Sequence, residues 1–74
     1  MTDYVVEFDG WQTMSSLFTK KKRYTNTDLE HVLPQAKKDA IKINAEFITI
    51  YESKSTRYLG TWVKKNSRWY LSKD

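Results

Sequence analysis

Hydrophobic and polar residues alternate over the last third of the chain, and this alternation predicts three short antiparallel strands. β-Branched and aromatic residues, which favour strands, recur there between two polar tetrads. We place the strands at residues 46–52, 57–64 and 68–71, with turns at 53–56 and 64–67. Because Trp62 and Trp69 both lie in this stretch, it is expected to organise the rest of the fold.

The first tetrad predicts the register between the first two of these strands. If residues 53–56 form the turn, Glu52 lies opposite Arg57 and Tyr51 lies opposite Tyr58. The same register extends along both strands. The further predicted pairs are Ile50 with Leu59 and Phe47 with Trp62.

The second tetrad predicts the position of the last strand. A four-residue turn sets Val63 against Arg68 and Trp62 against Trp69. A three-residue turn would instead place Trp62 opposite Tyr70 and move Trp69 to the other face of the sheet. The alternative therefore changes which aromatic rings share a face.

Because side chains alternate across a strand, the four-residue register predicts a sheet with two apolar faces. One face is aliphatic and carries Ile48, Ile50, Leu59 and Val63. The other face is aromatic and carries Phe47, Tyr51, Tyr58, Trp62 and Trp69. A domain of this size usually covers only one face well, so the cover of the aromatic face decides whether it is core or binding surface.

The N-terminal residues predict a further strand at 4–8, followed by a hairpin turn. Asp9-Gly10 suits a two-residue type I′ turn, which would pair Phe8 with Trp11. The alternative is a short helical turn, because three apolar residues recur at helical spacing. That face would carry Met14, Leu17 and Phe18. The hairpin is the favoured interpretation.

A helix is predicted after Thr27, where Thr27-Asp28-Leu29-Glu30 fits a capping box with Thr27 as the N-cap. Pro34 disfavours one continuous helix, so we expect a first turn at 28–32 and a main helix at 34–43. Apolar residues form a core-facing stripe along it. The stripe consists of Leu29, Val32, Leu33, Ala36, Ala40 and Ile43.

These elements predict a single α+β domain over residues 1–74, with one helix packed on a small antiparallel sheet of four to five strands in the order β-β-α-β-β-β. The chain has no cysteine, so no disulfide supplements its core. We find no leader or membrane-spanning segment, and expect a complete, cytoplasmic gene product without a membrane partner.

The charge of the chain favours polyanions without specifying one. Its formal net charge is +4, from 13 Lys plus Arg against 9 Asp plus Glu. Four adjacent positive charges at residues 20–23 repel one another, and we expect an exposed loop or a strand end there.

The chain offers little for catalysis. His31 is its only histidine, and a metal site would need several carboxylates converging on it. Asp28 could orient His31, but a catalytic nucleophile would have to come from elsewhere, and a polar surface histidine is the favoured interpretation. With only Gly10 and Gly60, no glycine-rich phosphate loop can form. We therefore expect a protein that is not an enzyme and has no cofactor.

Gly60 lies within a predicted strand, where a glycine makes room for a neighbouring ring or marks a β-bulge. Close approach of a ligand is the alternative.

The candidate binding residues are the aromatic face and the basic side chains around it. Aromatic rings on a sheet stack against unpaired bases, and basic residues hold phosphates. The alternative is that the rings are core, buried by the first strand or by a second copy of the chain. The candidate basic residues are Lys20, Lys21, Lys22, Arg23, Arg57, Lys64, Lys65 and Arg68.

A short first segment, a single helix and a meander of strands with a tryptophan near the C-terminus together resemble several small phage-encoded accessory proteins, among them anti-CRISPR inhibitors. The resemblance lies in organisation across most of the chain. It implies a basic protein, encoded by a phage or mobile element, that blocks a host nucleic-acid-handling complex. The net positive charge disfavours mimicry of DNA.

The leading hypothesis is a non-enzymatic binding protein that inhibits or modulates a host protein or ribonucleoprotein complex through its basic and aromatic surface. The alternative is direct binding of single-stranded nucleic acid by the aromatic face. A third hypothesis is self-association through the edge strand at 68–71, so the protein is expected to be a monomer or a homodimer.

Overall fold

One helix packs on a five-stranded antiparallel sheet in the computed structural model, which describes residues 2–13 and 16–72. The strand order is β2-β1-β3-β4-β5. The α+β class and the β-β-α-β-β-β order predicted from the sequence are confirmed. The elements are β1 (Thr2–Thr13), β2 (Ser16–Thr27), α1 (Leu29–Lys42), β3 (Phe47–Glu52), β4 (Tyr58–Lys65) and β5 (Arg68–Ser72).

The core lies between α1 and one face of the sheet. Alternate residues of β1 and β3 point to this side and are buried there, as period-two strands require. Ala36 and Ala40 are fully buried in α1, and their small side chains let the helix approach the sheet closely. The sheet residues of the core are Tyr4, Val6, Phe8, Ile48, Ile50 and Trp62.

The predicted apolar stripe of the helix is confirmed, whereas the predicted helix start and break are wrong. The N-cap is Asp28, one residue after Thr27, and its carboxylate accepts a hydrogen bond from the main-chain N–H of His31. The helix also runs through Pro34 without restarting. Val32 and Ala36 are buried on either side of the proline, so packing on the sheet keeps both segments in one helix.

The first two strands form a hairpin, but Asp9-Gly10 is not its turn. β1 continues to Thr13, and Phe8 pairs with Lys20 while Trp11 pairs with Leu17. Gly10 serves packing instead, because a Cβ there would lie 2.7 Å from the ring of Phe18. Leu17 and Phe18 are strand residues, which contradicts the helical alternative. Met14 lies outside the described residues.

The basic run at 20–23 is part of a strand rather than a loop. It lies in the middle of β2, which is an edge strand, and all four side chains are exposed as predicted. Positive charge on an edge strand is a common protection against pairing with another chain. Because the run is extended, Lys20 and Lys22 point to the helix side of the sheet while Lys21 and Arg23 point to the opposite side.

A β-bulge at Leu59 changes the predicted register between β3 and β4. Glu52 donates its main-chain N–H to Arg57, and Tyr51 pairs with Tyr58, as predicted. The register then shifts by one residue, so that Ile50 pairs with Gly60 rather than with Leu59. The pairs beyond the bulge are Ile48 with Trp62 and Phe47 with Val63, which contradicts the predicted pairing of Phe47 with Trp62.

The bulge moves Trp62 into the core and Val63 to the other face. A one-residue shift exchanges the two faces of a strand, because the side-chain period is two. Gly60 gives room to the indole of Trp62, since a Cβ on Gly60 would lie 3.0 Å from that ring. Both structural explanations of Gly60, the neighbouring ring and the bulge, are confirmed.

The turn between β4 and β5 contains two residues, so both predicted registers of the last strand are wrong. Asn66 and Ser67 have φ values of 52° and 65°, as a type I′ hairpin requires of its two central residues. Lys65 pairs with Arg68 and Trp62 with Leu71. Trp69 therefore lies on the core side.

Two tryptophans on opposite sides of the sheet give a matched test of this arrangement. Trp62 is 9% exposed and Trp11 is 50% exposed. We expect Trp62→Ala to lower the free energy of unfolding by about 3–5 kcal/mol, because it removes a buried ring and leaves a cavity. Trp11→Ala should cost less than about 1 kcal/mol. Urea unfolding measures both, and equal losses would contradict the face assignment.

Candidate binding surfaces

The face of the sheet opposite α1 is uncovered by any other element in the described part of the chain, and we call it the open face. Three cross-strand rows of its residues run from β2 towards β5, and the exposed pair of Trp11 and Leu17 lies beyond them on β1 and β2. The tyrosine row consists of Arg23, Val5, Tyr51 and Tyr58. The polar row consists of Lys21, Glu7, Thr49, Thr61 and Ser72. The phenylalanine row consists of Thr19, Asp9, Phe47, Val63 and Tyr70.

Two tyrosines are held in place at one end of the open face. The ring centroids of Tyr51 and Tyr58 are 5.9 Å apart and the rings are tilted by 60°, a favourable arrangement for aromatic pairs. The Tyr58 hydroxyl is 2.7 Å from Oγ1 of Thr61, which is itself 3.3 Å from Oγ1 of Thr49. Tyr58 is thus ordered by a hydrogen bond although 45% of it is exposed.

The tyrosine and phenylalanine rings of the open face fall into two groups, and Trp11 lies beyond them on β1. Tyr70 is half exposed and belongs to the phenylalanine row with Phe47, which is partly buried. Two residues of strand separate neighbouring rows by roughly 7 Å, so the tyrosine and phenylalanine rows lie about 13 Å apart. A partner that used both would have to bridge the polar row.

Charges on the open face are positive near its margins and negative towards its middle. Lys21 and Arg23 lie on the β2 edge, whereas Lys65 and Arg68 flank the β4–β5 turn. Glu7 and Asp9 lie on β1, the second strand of the sheet. The open face therefore has basic margins around an acidic strip, and this arrangement would repel a polyanion laid straight across it.

The structure divides the predicted aromatic site. Phe47, Tyr51 and Tyr58 share the open face, but Trp62 lies in the core and Trp69 packs against it. The prediction of one aromatic face was wrong, because the bulge exchanged the faces of β4 and the short turn placed Trp69 on the core side.

The predicted basic residues are also divided. Four lie on the open face: Lys21, Arg23, Lys65 and Arg68. Three lie on the helix side: Lys20, Lys22 and Lys64. Arg57 is exposed in the turn before β4.

Sequence reasoning missed Val5 and Tyr70 on the open face. Val5 carries a usable signal, because in the strand predicted at 4–8 it alternates with Tyr4 and Val6 and so shares a side with Glu7. Tyr70 could have been placed on this face only by predicting the two-residue turn between β4 and β5. The sequence of that turn is Asn-Ser, whereas such turns are usually recognised by Asn-Gly.

A second surface lies between β2 and the last turns of α1, and we call it the basic groove. It is a concavity of about 400 Å³ lined by Phe8, Lys20, Lys21, Lys22, Asp39, Lys42 and Ile43. The separation of Lys42 from the basic run in the sequence concealed this cluster.

Asp39 connects α1 to β2 at the wall of the basic groove. Its Oδ2 accepts hydrogen bonds from the Tyr24 hydroxyl at 2.5 Å and from Lys22 Nζ at 3.1 Å, while its Oδ1 accepts one from Gln35. Burial by itself would raise the pKa of Asp39, but these three hydrogen bonds outweigh it and hold the pKa below its usual value. Burial, and then the bond to Asp39, raises the pKa of Tyr24.

Asp28 and His31 form a local pair at the start of α1. Asp28 Oδ1 is 2.7 Å from His31 Nδ1, and this hydrogen bond is the main cause that lowers the pKa of Asp28. Both side chains are mostly exposed, and the same carboxylate oxygen caps the helix. The pair therefore has a structural explanation.

Residues 2–13 and 16–72 contain no group of three or more His, Cys, Asp or Glu side chains placed to hold a metal ion. The one helix among them is too short and too polar to cross a bilayer.

The Asp39 network predicts a pH-dependent contribution to stability. Tyr24→Phe and Asp39→Asn should each lower the free energy of unfolding by about 1–2 kcal/mol at neutral pH, with the double variant losing less than the sum. A carboxyl group whose pKa is lowered on folding stabilises the fold at pH values above its pKa in the unfolded chain. This contribution disappears as the pH falls through its pKa in the folded protein.

Urea unfolding at pH 7 and at pH 3 measures this contribution. The difference between the wild type and Asp39→Asn should shrink at pH 3, because Asp39 of the unfolded chain is then mostly protonated and folding into the charged network must release that proton. Glu30→Gln, which replaces an exposed carboxylate in the first turn of the same helix, is a control for acid sensitivity elsewhere. An unchanged difference for Asp39→Asn would contradict the network's role.

Comparisons of this chain with protein-family models, with curated proteins and with solved structures found no match. The function is therefore inferred from the two surfaces themselves. Their chemistry consists of tyrosine rings and basic margins on one side of the sheet, and of a lysine-lined concavity on the other.

Proposed function

We propose that the protein is a non-enzymatic binding protein that docks on a protein component of a nucleic-acid-handling complex through its open face. The observation that carries this proposal is that one whole face of the sheet is uncovered in the described structure and presents Tyr58 and Tyr70 about half exposed. Exposed rings beside ordered polar groups suit an interface, since tyrosine supplies large contact area with few rotatable bonds.

The distribution of charge favours a protein partner over a bare nucleic-acid strand. Interface centres are enriched in tyrosine, phenylalanine and arginine and are surrounded by polar residues. The open face has these residue types, and its acidic strip at Glu7 and Asp9 would repel phosphates but can pair with basic side chains of a protein.

The size of the molecule is compatible with such an interface. Its principal extents are 38 × 25 × 21 Å, so a broad face offers roughly 900 Å² in outline. Stable interfaces bury about 800 Å² on each partner.

The basic margins are the reason to propose a nucleic-acid-associated target. Lys21 and Arg23 border the open face on the exposed β2 edge, and the formal net charge of the chain is +4. Positive charge beside a protein interface would be attracted to nucleic acid bound by the partner. We also propose that docking inhibits this complex. The resemblance to phage-encoded accessory proteins implies such inhibition.

A second candidate function is direct binding of single-stranded nucleic acid, and the tyrosine row is the observation that favours it. Arg23, Val5, Tyr51 and Tyr58 are successive neighbours across four strands. An arginine in the same row as two tyrosines, with Val5 between, provides a phosphate contact and stacking surfaces for bases. Loss of Trp62 and Trp69 to the core removes two of the rings on which this candidate relied.

Photo-crosslinking from the open face tests the first proposal. A photoreactive phenylalanine derivative replaces Tyr58, and the control carries it in place of Ile41, which is 61% exposed on α1. In extracts of the native host treated with nuclease, we expect a discrete protein adduct from position 58 and none from position 41. Equal adducts at both positions, or none at position 58, would contradict the proposal.

A salt titration separates the two candidates. Phosphate-driven affinity for a single strand falls with salt at a slope of about −0.7 per phosphate contact, whereas contact with a protein through aromatic rings changes little. Gel shifts with single-stranded DNA and RNA at 50 and 200 mM salt measure the slope, with Tyr58→Ala and Tyr58→Phe as a matched pair. If Tyr58→Ala leaves every shift unchanged, the tyrosine row is not a nucleic-acid site.

A further inference from the structure

The basic groove lies on the other side of the sheet from the open face and has its own chemistry. We propose that it binds the phosphate group of a nucleotide unit, carried either by a free nucleotide or by a nucleic-acid strand. This inference goes beyond the proposed function, because it assigns a second site and a ligand class that the open face does not require.

The charge balance of the groove favours an anion. Its lining carries three lysines that lie on the helix side of the sheet, Lys20, Lys22 and Lys42, against the single carboxylate of Asp39, a formal net charge of +2, whereas the side chain of Lys21 points to the open face. The C-terminal end of α1 is also close by, since Lys42 is its last residue. That end contributes only about half a negative charge, so the attraction of the lysines prevails.

The one carboxylate of the groove is already engaged. Asp39 accepts hydrogen bonds from Tyr24, Lys22 and Gln35, and both of its oxygens are used. Lys22 thus offsets Asp39. Neither Lys20 nor Lys42 forms an ion pair with any residue in the ranges 2–13 and 16–72. These two ammonium groups remain available to a ligand.

The hydrogen-bonding pattern selects phosphate over an acidic peptide. Lysine ammonium groups only donate hydrogen bonds, and an ionised phosphate diester only accepts them. A peptide would also bring main-chain N–H donors, which need acceptors, and the only side-chain acceptor that lines the groove is already bonded. Phosphate matches a surface that consists of donors.

The dimensions of the groove fit a nucleotide-sized ligand. Its volume of about 400 Å³ falls within the usual range of small-ligand sites, roughly 300–1,000 Å³. The partly exposed Ile43 gives it an apolar floor between the lysines, with the buried ring of Phe8 beneath it. Sugar or base carbon atoms can rest on such a floor while the phosphate contacts the ammonium groups.

Fluorescence anisotropy with a labelled 12-nucleotide oligothymidylate tests the proposal. At 0.1 M salt, Lys20→Gln and Lys42→Gln should each weaken binding about fivefold and reduce the salt slope by about 0.7. Lys54→Gln removes the same charge from the exposed 53–57 turn and should weaken binding less than twofold. Unlabelled adenosine monophosphate and inorganic phosphate serve as competitors.

The competitors identify the source of the phosphate. Displacement by the mononucleotide or by phosphate shows that the groove recognises a single phosphate group, whereas binding of the oligonucleotide alone shows recognition of the strand. Either result supports the proposal. Equal losses in the Lys20, Lys42 and Lys54 variants would overturn it, as would the absence of binding by all three ligands at 50 mM salt.

The same variants keep the two proposals distinguishable. Lys20→Gln and Lys42→Gln should leave the protein adduct from position 58 unchanged, because the groove and the open face lie on opposite sides of the sheet. Conversely, Tyr58→Ala should leave oligonucleotide affinity of the groove unchanged. If the crosslinking test of the open face fails, the oligonucleotide test of the basic groove can therefore still succeed, and the reverse also holds.

Discussion

The β-bulge between β3 and β4 is the constraint on which the rest of the structure depends. It inserts Leu59 between the pairs Tyr51–Tyr58 and Ile50–Gly60 and so exchanges the faces of β4 from Gly60 onwards. Trp62 enters the core as a consequence, above the space that Gly60 leaves for its ring. The short turn that follows sets Trp69 on the same side, and the open face keeps Tyr51, Tyr58 and Phe47 but not Trp62 or Trp69.

The second constraint is that one helix is too narrow for the whole sheet. An α-helix is about 10–12 Å wide with its side chains, whereas five strands span roughly 19 Å between the outer axes. α1 packs over β1, β2 and β3, and the core side of β4 and β5 is filled by Trp62 and Trp69 instead. The large rings are thus used where the helix does not reach, and the opposite face is available to a partner.

The edge strand β2 links the two candidate surfaces. Its basic run is extended, so successive residues point in opposite directions: Lys21 and Arg23 border the open face, and Lys20 and Lys22 line the basic groove. The same charges discourage pairing with another chain at this edge. The hydrogen bonds of Asp39 with Tyr24 and Lys22 join the strand to α1, so the geometry of the groove follows from the same contact that fastens the helix to the edge.

The sequence by itself determined the fold class, the helix stripe and the exposure of the basic run, because periodicity and charge are local properties that survive into the folded state. It also determined the pairing of Tyr51 with Tyr58, which depends only on a short turn. Only the tertiary structure decided which face each ring occupies. That assignment depends on a one-residue bulge, which shifts every later side chain of β4 by half a period, and on a two-residue turn, which moves β5 by a full period from the favoured prediction and so leaves Trp69 on the face of Trp62. The composition of the basic groove was likewise decided by tertiary packing, since Lys42 joins Lys20 and Lys22 only when the helix lies across the edge of the sheet.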